Sequence, residues 1–342
     1  MDYSQTISAK RNRIEKLFLL VCAVALVLSF ILGVCLGPTN ISFSDFLKAL
    51  ASGMNTVDGR IIYAARLPRV VASVLAGSAL AVSGVIIQSV LENPLAAPST
   101  IGVNAGAGFL AVLAMALFPK NPSMVPAAAF AGAVITVFAV YLIAVKNGAS
   151  KITLVLAGVA LSNLLNAGIN TITTFYPDAL LGISSFKIGG FNGVTMAKLS
   201  PVWIYIAVGL VLAMLLSHEL DILSLGDRTA RSLGLNVKFI RFILLMAAAL
   251  LAGSAVSFAG LLSFVGLIIP HAARHFIKSG STRLIPAAAM LGAGFITFCD
   301  LLSRMLFAPY EIQLGIVVSY IGVPFFIYLI MKKKGGRHGD RN

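Results

Sequence analysis

Long apolar runs separated by short polar breaks fill this chain. About 20 apolar residues cross a bilayer as a helix, and on that measure the pattern predicts ten transmembrane helices. Helix 1 covers Leu17–Leu36, helix 2 Ile61–Val90, helix 3 Thr100–Phe118, helix 4 Val125–Val145 and helix 5 Thr153–Phe175. Helix 6 covers Pro201–Leu216, helix 7 Phe239–Phe258, helix 8 Leu262–Phe276, helix 9 Leu284–Leu306 and helix 10 Gly315–Met331. Helix 2 is long enough to tilt. Helix 8 is the least regular, because Pro270, His271, Arg274 and His275 interrupt it. The runs are unbroken, whereas a membrane β-barrel would show alternating segments of about ten residues.

Composition strengthens this reading. The 342 residues are 58% hydrophobic and only 11% charged, against roughly 25% charged in a soluble domain. The expected fold is an all-α polytopic membrane protein, with residues 1–342 forming a single transmembrane domain. A soluble enzyme, a disordered chain and a disulfide scaffold are excluded. Cys22, Cys35 and Cys299 all lie in apolar segments with no metal-ligand spacing. The first run follows a basic head but lacks an A-x-A cleavage pattern, so it is expected to stay as helix 1.

The net charge of +14 would point to nucleic acid in a soluble protein. Here the basic residues fall mostly between apolar runs, and no basic–aromatic platform for bases is visible, so nucleic acid is not an expected partner. Most of the 26 Lys and Arg share one side. They are the basic residues of the N-terminal head and C-terminal tail, Lys146, Lys151, Arg228, Arg231, Lys238, Arg241, Arg274, Lys278 and Arg283. The positive-inside rule then makes both termini cytoplasmic.

The chain also repeats itself weakly. Leu75-Ala76-Gly77-Ser78-Ala79 returns as Leu251-Ala252-Gly253-Ser254-Ala255, and Gly84/Gly260 and Pro94/Pro270 keep the same spacing. Helices 2 and 7 run in opposite directions, so helices 2–5 and 7–10 would form an inverted repeat of the kind built into transporters.

No Gly-x-x-x-x-Gly-Lys-Ser/Thr loop is present. The glycine-rich run Gly102–Gly108 lies in a membrane helix with no preceding strand, and reads as close helix packing. No acid lies at a helix centre, where an ion-coupled carrier usually needs one; Asp300 and Glu92 sit near helix ends. His271 and His275 have a spacing that could ligate a metal, but no acid or thiol stands beside them, so no metal site is expected. No catalytic set is visible. The chain therefore reads as a non-enzyme whose driving energy comes from a partner. An ion-coupled secondary transporter and a membrane-embedded enzyme are the competing classes.

Two loops are long enough to matter: an extracytoplasmic loop over 173–200 and a cytoplasmic loop over 217–237. In the second, Asp227, Ala230, Arg231, Leu233 and Gly234 mark a short amphipathic helix ended by Gly234. A second short helix precedes Gly226. A rigid element here could dock an energy-supplying partner, which could close over the small residues Ala230 and Gly234.

At these positions the chain resembles a known family. Arg66-Leu67-Pro68-Arg69, Glu92-Asn93-Pro94-Leu95-Ala96-Ala97-Pro98, Leu156-Ala157-Gly158-Val159-Ala160, Gly226–Gly234 and Phe264–His271 are similar to motifs of the permease subunits of type II ABC importers for iron-siderophores, haem and cobalamin. The resemblance covers nearly the whole chain. It implies a subunit of the bacterial or archaeal cytoplasmic membrane that works as a homodimer or beside a close paralogue. Its partners would be two cytoplasmic ABC ATPases, which carry the ATP and Mg, and an extracytoplasmic binding protein. This chain itself would bind no cofactor. An iron-siderophore is the expected cargo, with haem and cobalamin as alternatives.

The resemblance also implies site roles. Arg66, Arg69 and Arg304 fall at outer helix ends against the charge bias, and would dock the binding protein, with Asp300 one turn away orienting Arg304. Gly226, Asp227, Ala230, Arg231, Leu233 and Gly234 would couple to the ATPase. Asn163, Asn166 and Asn170 share one face of helix 5 by their spacing; with Ser319 and Tyr320 of helix 10 they would line the translocation pathway. Asn93 and Leu95, with Ser150, Lys151, Ile152 and Thr153, would form the cytoplasmic gate.

Overall fold

The computed structural model describes residues 3–37, 44, 46, 48–49, 53–146, 150–177 and 180–335. Among them every regular element is helical. The long helices are α1 (Tyr3–Cys35), α2 (Val57–Val90), α3 (Val103–Leu117), α4 (Met124–Lys146), α5 (Lys151–Phe175), α6 (Val202–Leu215), α7 (Val237–Ala259), α8 (Val265–Phe276), α9 (Ser281–Met305) and α10 (Leu314–Gly335). Among the described residues, seven spans are long and apolar enough to cross a membrane: Lys10–Cys35, α2, α4, α5, Met196–Leu215, α7 and α9. Val103–Leu117 and Leu314–Tyr328 are apolar but shorter.

α2 lies at the centre and packs on α9, α7 and α8. Small residues make this approach possible. A Cβ on Gly77 would overlap the Gly292 carbonyl of α9, and one on Gly84 would overlap the Gly266 carbonyl of α8. α7 in turn packs on α4, with Gly253 against Ala133 and Phe130. α1 lies along α9, and α5 on α3 and α4. α1 and α5 keep most of their surface on the outside, whereas α2, α7 and α9 are mostly buried. In the absence of a driving force between helices in lipid, such close packing is what holds the bundle together.

Three boundaries differ from the sequence expectation. α1 begins at Tyr3, so the basic head continues the first helix. It is held there by Arg283, which donates to Asn12 at 2.9 Å and Glu15 at 2.8 Å. α2 begins at Val57, capped by the Thr56 hydroxyl, and passes through a π-turn at Ile62–Arg66. α8 runs through Pro270 unbroken. Proline lacks the N–H that would bond the carbonyl four residues back; that carbonyl belongs to Gly266 and faces Gly84 of α2, so the defect is absorbed in a helix contact.

The two ends of the bundle are named here from α1: proximal where it begins, distal where it finishes. Two short helices, Ser217–Leu223 and Asp227–Ser232, lie at the proximal end between α6 and α7. Leu180–Ile188 and Met196–Leu199 lie at the distal end between α5 and α6.

Candidate functional site

At the distal end the π-turn and the α2 turn that follows aim two arginines at different targets. Arg66 is buried and donates to the Val34 and Cys35 carbonyls at 3.0 and 2.5 Å. Arg69 donates to Asp300 and Glu311, both at 2.8 Å. Arg304, also buried, pairs with Asp300 at 3.1 Å and donates to the Gly33 carbonyl at 3.0 Å. The last four carbonyls of a helix have no partner within it, and here two guanidiniums supply them. Of the three arginines expected to dock a binding protein, Arg66 and Arg304 are buried and close the end of α1. Asp300 orients Arg304, as the one-turn spacing implies. Arg69 is the most accessible of the three, at 13% side-chain exposure, and borders a cleft of about 520 Å³ that also reaches Glu311 and Phe191–Thr195.

The proximal end gathers charge from four segments. Gly226, at φ +100°, opens the Asp227–Ser232 helix, and Gly234, at φ +83°, follows its end. Both conformations suit glycine. Asp227 accepts from Arg241 of α7 at 2.5 Å and lies 3.4 Å from the Lys151 ammonium. Lys151 also pairs with Glu92, at the end of α2. Arg231 lies 3.9 Å from Asp227 and is largely exposed. Burial by itself would raise the Asp227 pKa; the Arg241 hydrogen bond and charge, then Lys151, outweigh it and hold the carboxyl below its ordinary value.

Ala230 is fully buried against this chain, so the small face expected to receive a partner is partly occupied from within. Leu233 and Leu225 are exposed, and no atom lies within 4 Å of where a Gly234 Cβ would stand. The other short helix is fixed separately. Asp221 accepts from the Ser281 backbone N–H at 2.9 Å and from its hydroxyl at 2.6 Å, capping α9.

The expected gate residues lie beside this cluster. Ser150 is the N-cap of α5, its hydroxyl accepting the Thr153 backbone N–H at 3.1 Å. Asn93 accepts the Leu95 N–H at 2.9 Å, closing the turn at Pro94. Leu95 and Ile152 are exposed.

Asn163, Asn166 and Asn170 lie on one exposed side of α5. Ser319 and Tyr320 line a cavity of about 560 Å³ with Lys187, Leu261 and Ser263. α10 packs on α8 and α9 while α5 packs on α3 and α4, so these two sets stand apart within one chain.

Sequence reasoning missed Arg241, Arg274 and Glu311. In the sequence, Arg241 and Arg274 read as loop charge. Yet Arg241 is a buried side chain of α7, and Arg274 donates to Ser89 of α2 at 2.7 Å. The available signal was position, since each falls inside a helical repeat of apolar residues.

Residues 25–332 match the model of the FecCD transport family. The chain belongs to that family. It is 35% identical over 328 residues to the Fe(3+)-citrate import system permease protein YfmE of Bacillus subtilis, covering 94% of this chain and 97% of that one. It is 36% identical over 316 residues to the Iron(3+)-hydroxamate import system permease protein FhuB of the same organism, covering 91% and 82%. A solved inward-facing conformation of a metal-chelate type ABC transporter superposes with a TM-score of 0.81 at 26% identity, covering 92% of this chain and 98% of that one. This FecCD chain is thus a permease subunit of an ABC importer, with ATP hydrolysis on a separate subunit.

Proposed function

We propose that this permease carries an iron chelate inward across the cytoplasmic membrane, with an iron-siderophore as its cargo. The observation that carries the reading is the neutral amide stripe of α5. An isolated amide in hydrocarbon is costly, yet Asn163, Asn166 and Asn170 all face out of the single chain. A second copy or a close paralogue packed on this side would enclose a hydrated route with α10, whose Ser319 and Tyr320 are the partner wall. Amides without charge suit a bulky chelate that passes without tight binding.

The remaining assignments follow. α1 to α10 are the ten spans, with both termini and the proximal end cytoplasmic. The inverted repeat is supported by equivalent packing: Gly77 meets α9 while Gly253 meets α4, the positions that exchanging the halves would predict. Arg69, framed by Arg66, Arg304 and Glu311, docks the extracytoplasmic binding protein. Gly226, Asp227, Arg231, Leu233 and Gly234 engage the ATPase, with Ala230 as their internal footing. Asn93, Leu95 and Ser150–Thr153 gate the inner mouth. ATP and Mg belong to the two ATPases.

Reconstitution in vesicles tests this. Uptake should require ATP, both partner proteins and no ion gradient, and a cysteine at Ser232 should crosslink to the ATPase. Gradient-driven uptake without ATPase, or no crosslink in an active complex, overturns the reading.

A further inference from the structure

Lys151 is the first residue of α5. A helix N-terminus carries a partial positive charge, so a cation there is unfavourable, and acidic residues are the stabilising choice. The first turn of α5 holds no acid. The misfit is compensated from outside the helix, by Glu92 at the end of α2 and by Asp227 of the short helix. Glu92 itself takes φ +48°, a region uncommon for residues other than glycine, and its carboxylate lies 3.8 Å from where a Gly226 Cβ would stand.

The two carboxylates are held unequally. Asp227 is fixed by Arg241, which is 2% exposed and at 2.5 Å. That contact ties the short helix to α7. Its second cation, Lys151, lies farther off at 3.4 Å and is 21% exposed. A flexible four-carbon stem with three donors can redistribute between two acceptors as their spacing changes. A buried guanidinium at a fixed carboxylate cannot.

We propose that Lys151 is a positioning residue that links the Asp227–Ser232 helix to the start of α5, sharing its ammonium between Asp227 and Glu92. This rests on the importer reading. A displacement of the short helix changes the Asp227–Lys151 separation while Arg241 keeps hold of Asp227. Lys151 then settles further on Glu92, and the first turn of α5 moves relative to the Asn93–Leu95 turn. The relay therefore runs through an ion pair shared by three segments, with no covalent lever. The Ser217–Leu223 helix lies outside it, because Asp221 joins that helix to α9.

The test uses the full complex with its ATPases and binding protein. Lys151→Gln keeps a hydrogen-bonding group on a shorter stem but removes the charge; Lys151→Arg restores it. ATPase assembly is read by co-purification. Movement of α5 is read by the ATP-dependent change in labelling of a cysteine at Ile152, which is exposed. Coupling is read as chelate imported per ATP hydrolysed.

In Lys151→Gln, assembly should persist while the labelling change and the coupling ratio each fall about tenfold, the scale of a charge-assisted bond. Lys151→Arg should recover most of both. A labelling change and ratio equal to the parent in Lys151→Gln overturn the proposal, and so does loss of assembly, since Lys151 would then serve the docking surface. If the parent chain itself does not assemble with ATPases, the importer reading fails first and this inference falls with it.

Discussion

The two ends of the bundle solve the same electrostatic problem in opposite ways. At the distal end Arg66 and Arg304 are spent inside the chain, on Asp300 and the carbonyls that finish α1, and Arg69 bridges buried Asp300 to Glu311 at the surface. At the proximal end Lys151, Asp227 and Glu92 are partly exposed, and each comes from a different segment. A buried charge that loses its partner pays the full desolvation cost, so Arg66, Arg304 and Asp300 are locked, and only the Arg69–Glu311 pair reaches the surface. A half-exposed pair is screened and exchangeable. The difference teaches that charge count at a helix end says little about use; burial decides whether a pair is a rivet or a joint.

The largest break in this contrast should come from Arg69→Ala. Asp300 keeps its pair with Arg304 but loses the charge-assisted bond from Arg69, at a cost of about 3 kcal/mol. Thermal unfolding of the purified protein in detergent should show it, and Arg69→Lys, which keeps the charge, should lose less. Equal stability of Arg69→Ala and parent would mean that the distal end is as exchangeable as the proximal one.

A smaller effect is expected at Asp227. Its folded pKa lies below the unfolded value of 3.8, so its contribution is complete above that value and is lost as pH falls through the folded one. A charge-assisted bond of this kind contributes about 1.5–3 kcal/mol. Hydrogen-exchange protection in the 227–232 helix, taken relative to the intrinsic rate at each pH, should therefore fall in acid below about pH 4, and in Asp227→Asn it should be low throughout with that pH step removed.

Ser150→Ala removes the cap of α5 and should cost about 1 kcal/mol, read as faster exchange in its first turn. The smallest effect separates the two ends by salt. Raising ionic strength from about 0.15 to 1 M shortens the screening length from roughly 8 to 3 Å. The first turn of α5 should loosen slightly, while the distal end of α9 stays unchanged.

Much of this was legible from residue order. The apolar runs place α2, α4, α5, α7 and α9 within a few residues, and Gly226 and Gly234 bracket a helix as turn chemistry requires. Asp300 and Arg304 pair by helical spacing alone. What was hidden depends on elements far apart in sequence. Arg66 reads as a docking residue because no local rule shows that the end of α1 lies beside it. Arg241 and Lys151 read as loop charge or gate, because their shared carboxylate, Asp227, sits on a separate short helix. Pro270 reads as a break because its compensating neighbour, Gly84, belongs to another helix.

The π-turn at Ile62–Arg66 carries a consequence for which changes in length this region tolerates. A π-turn holds one residue more than an α-turn, and removing one residue from a helix rotates everything on one side of the cut by about 100°. Substitutions at Tyr63 or Ala64 leave that phase intact. A single-residue deletion there would turn Val57–Ile61 and the chain leading into it away from their present bearing on the rest of α2, while Arg69 stays on Asp300. This stretch should therefore accept exchanges of residue type far more readily than a change in residue number. In a library of single deletions scored for membrane expression, positions 62–66 should stand out as a gap, whereas substitutions at Tyr63, Ala64 and Ala65, which are not buried, should not.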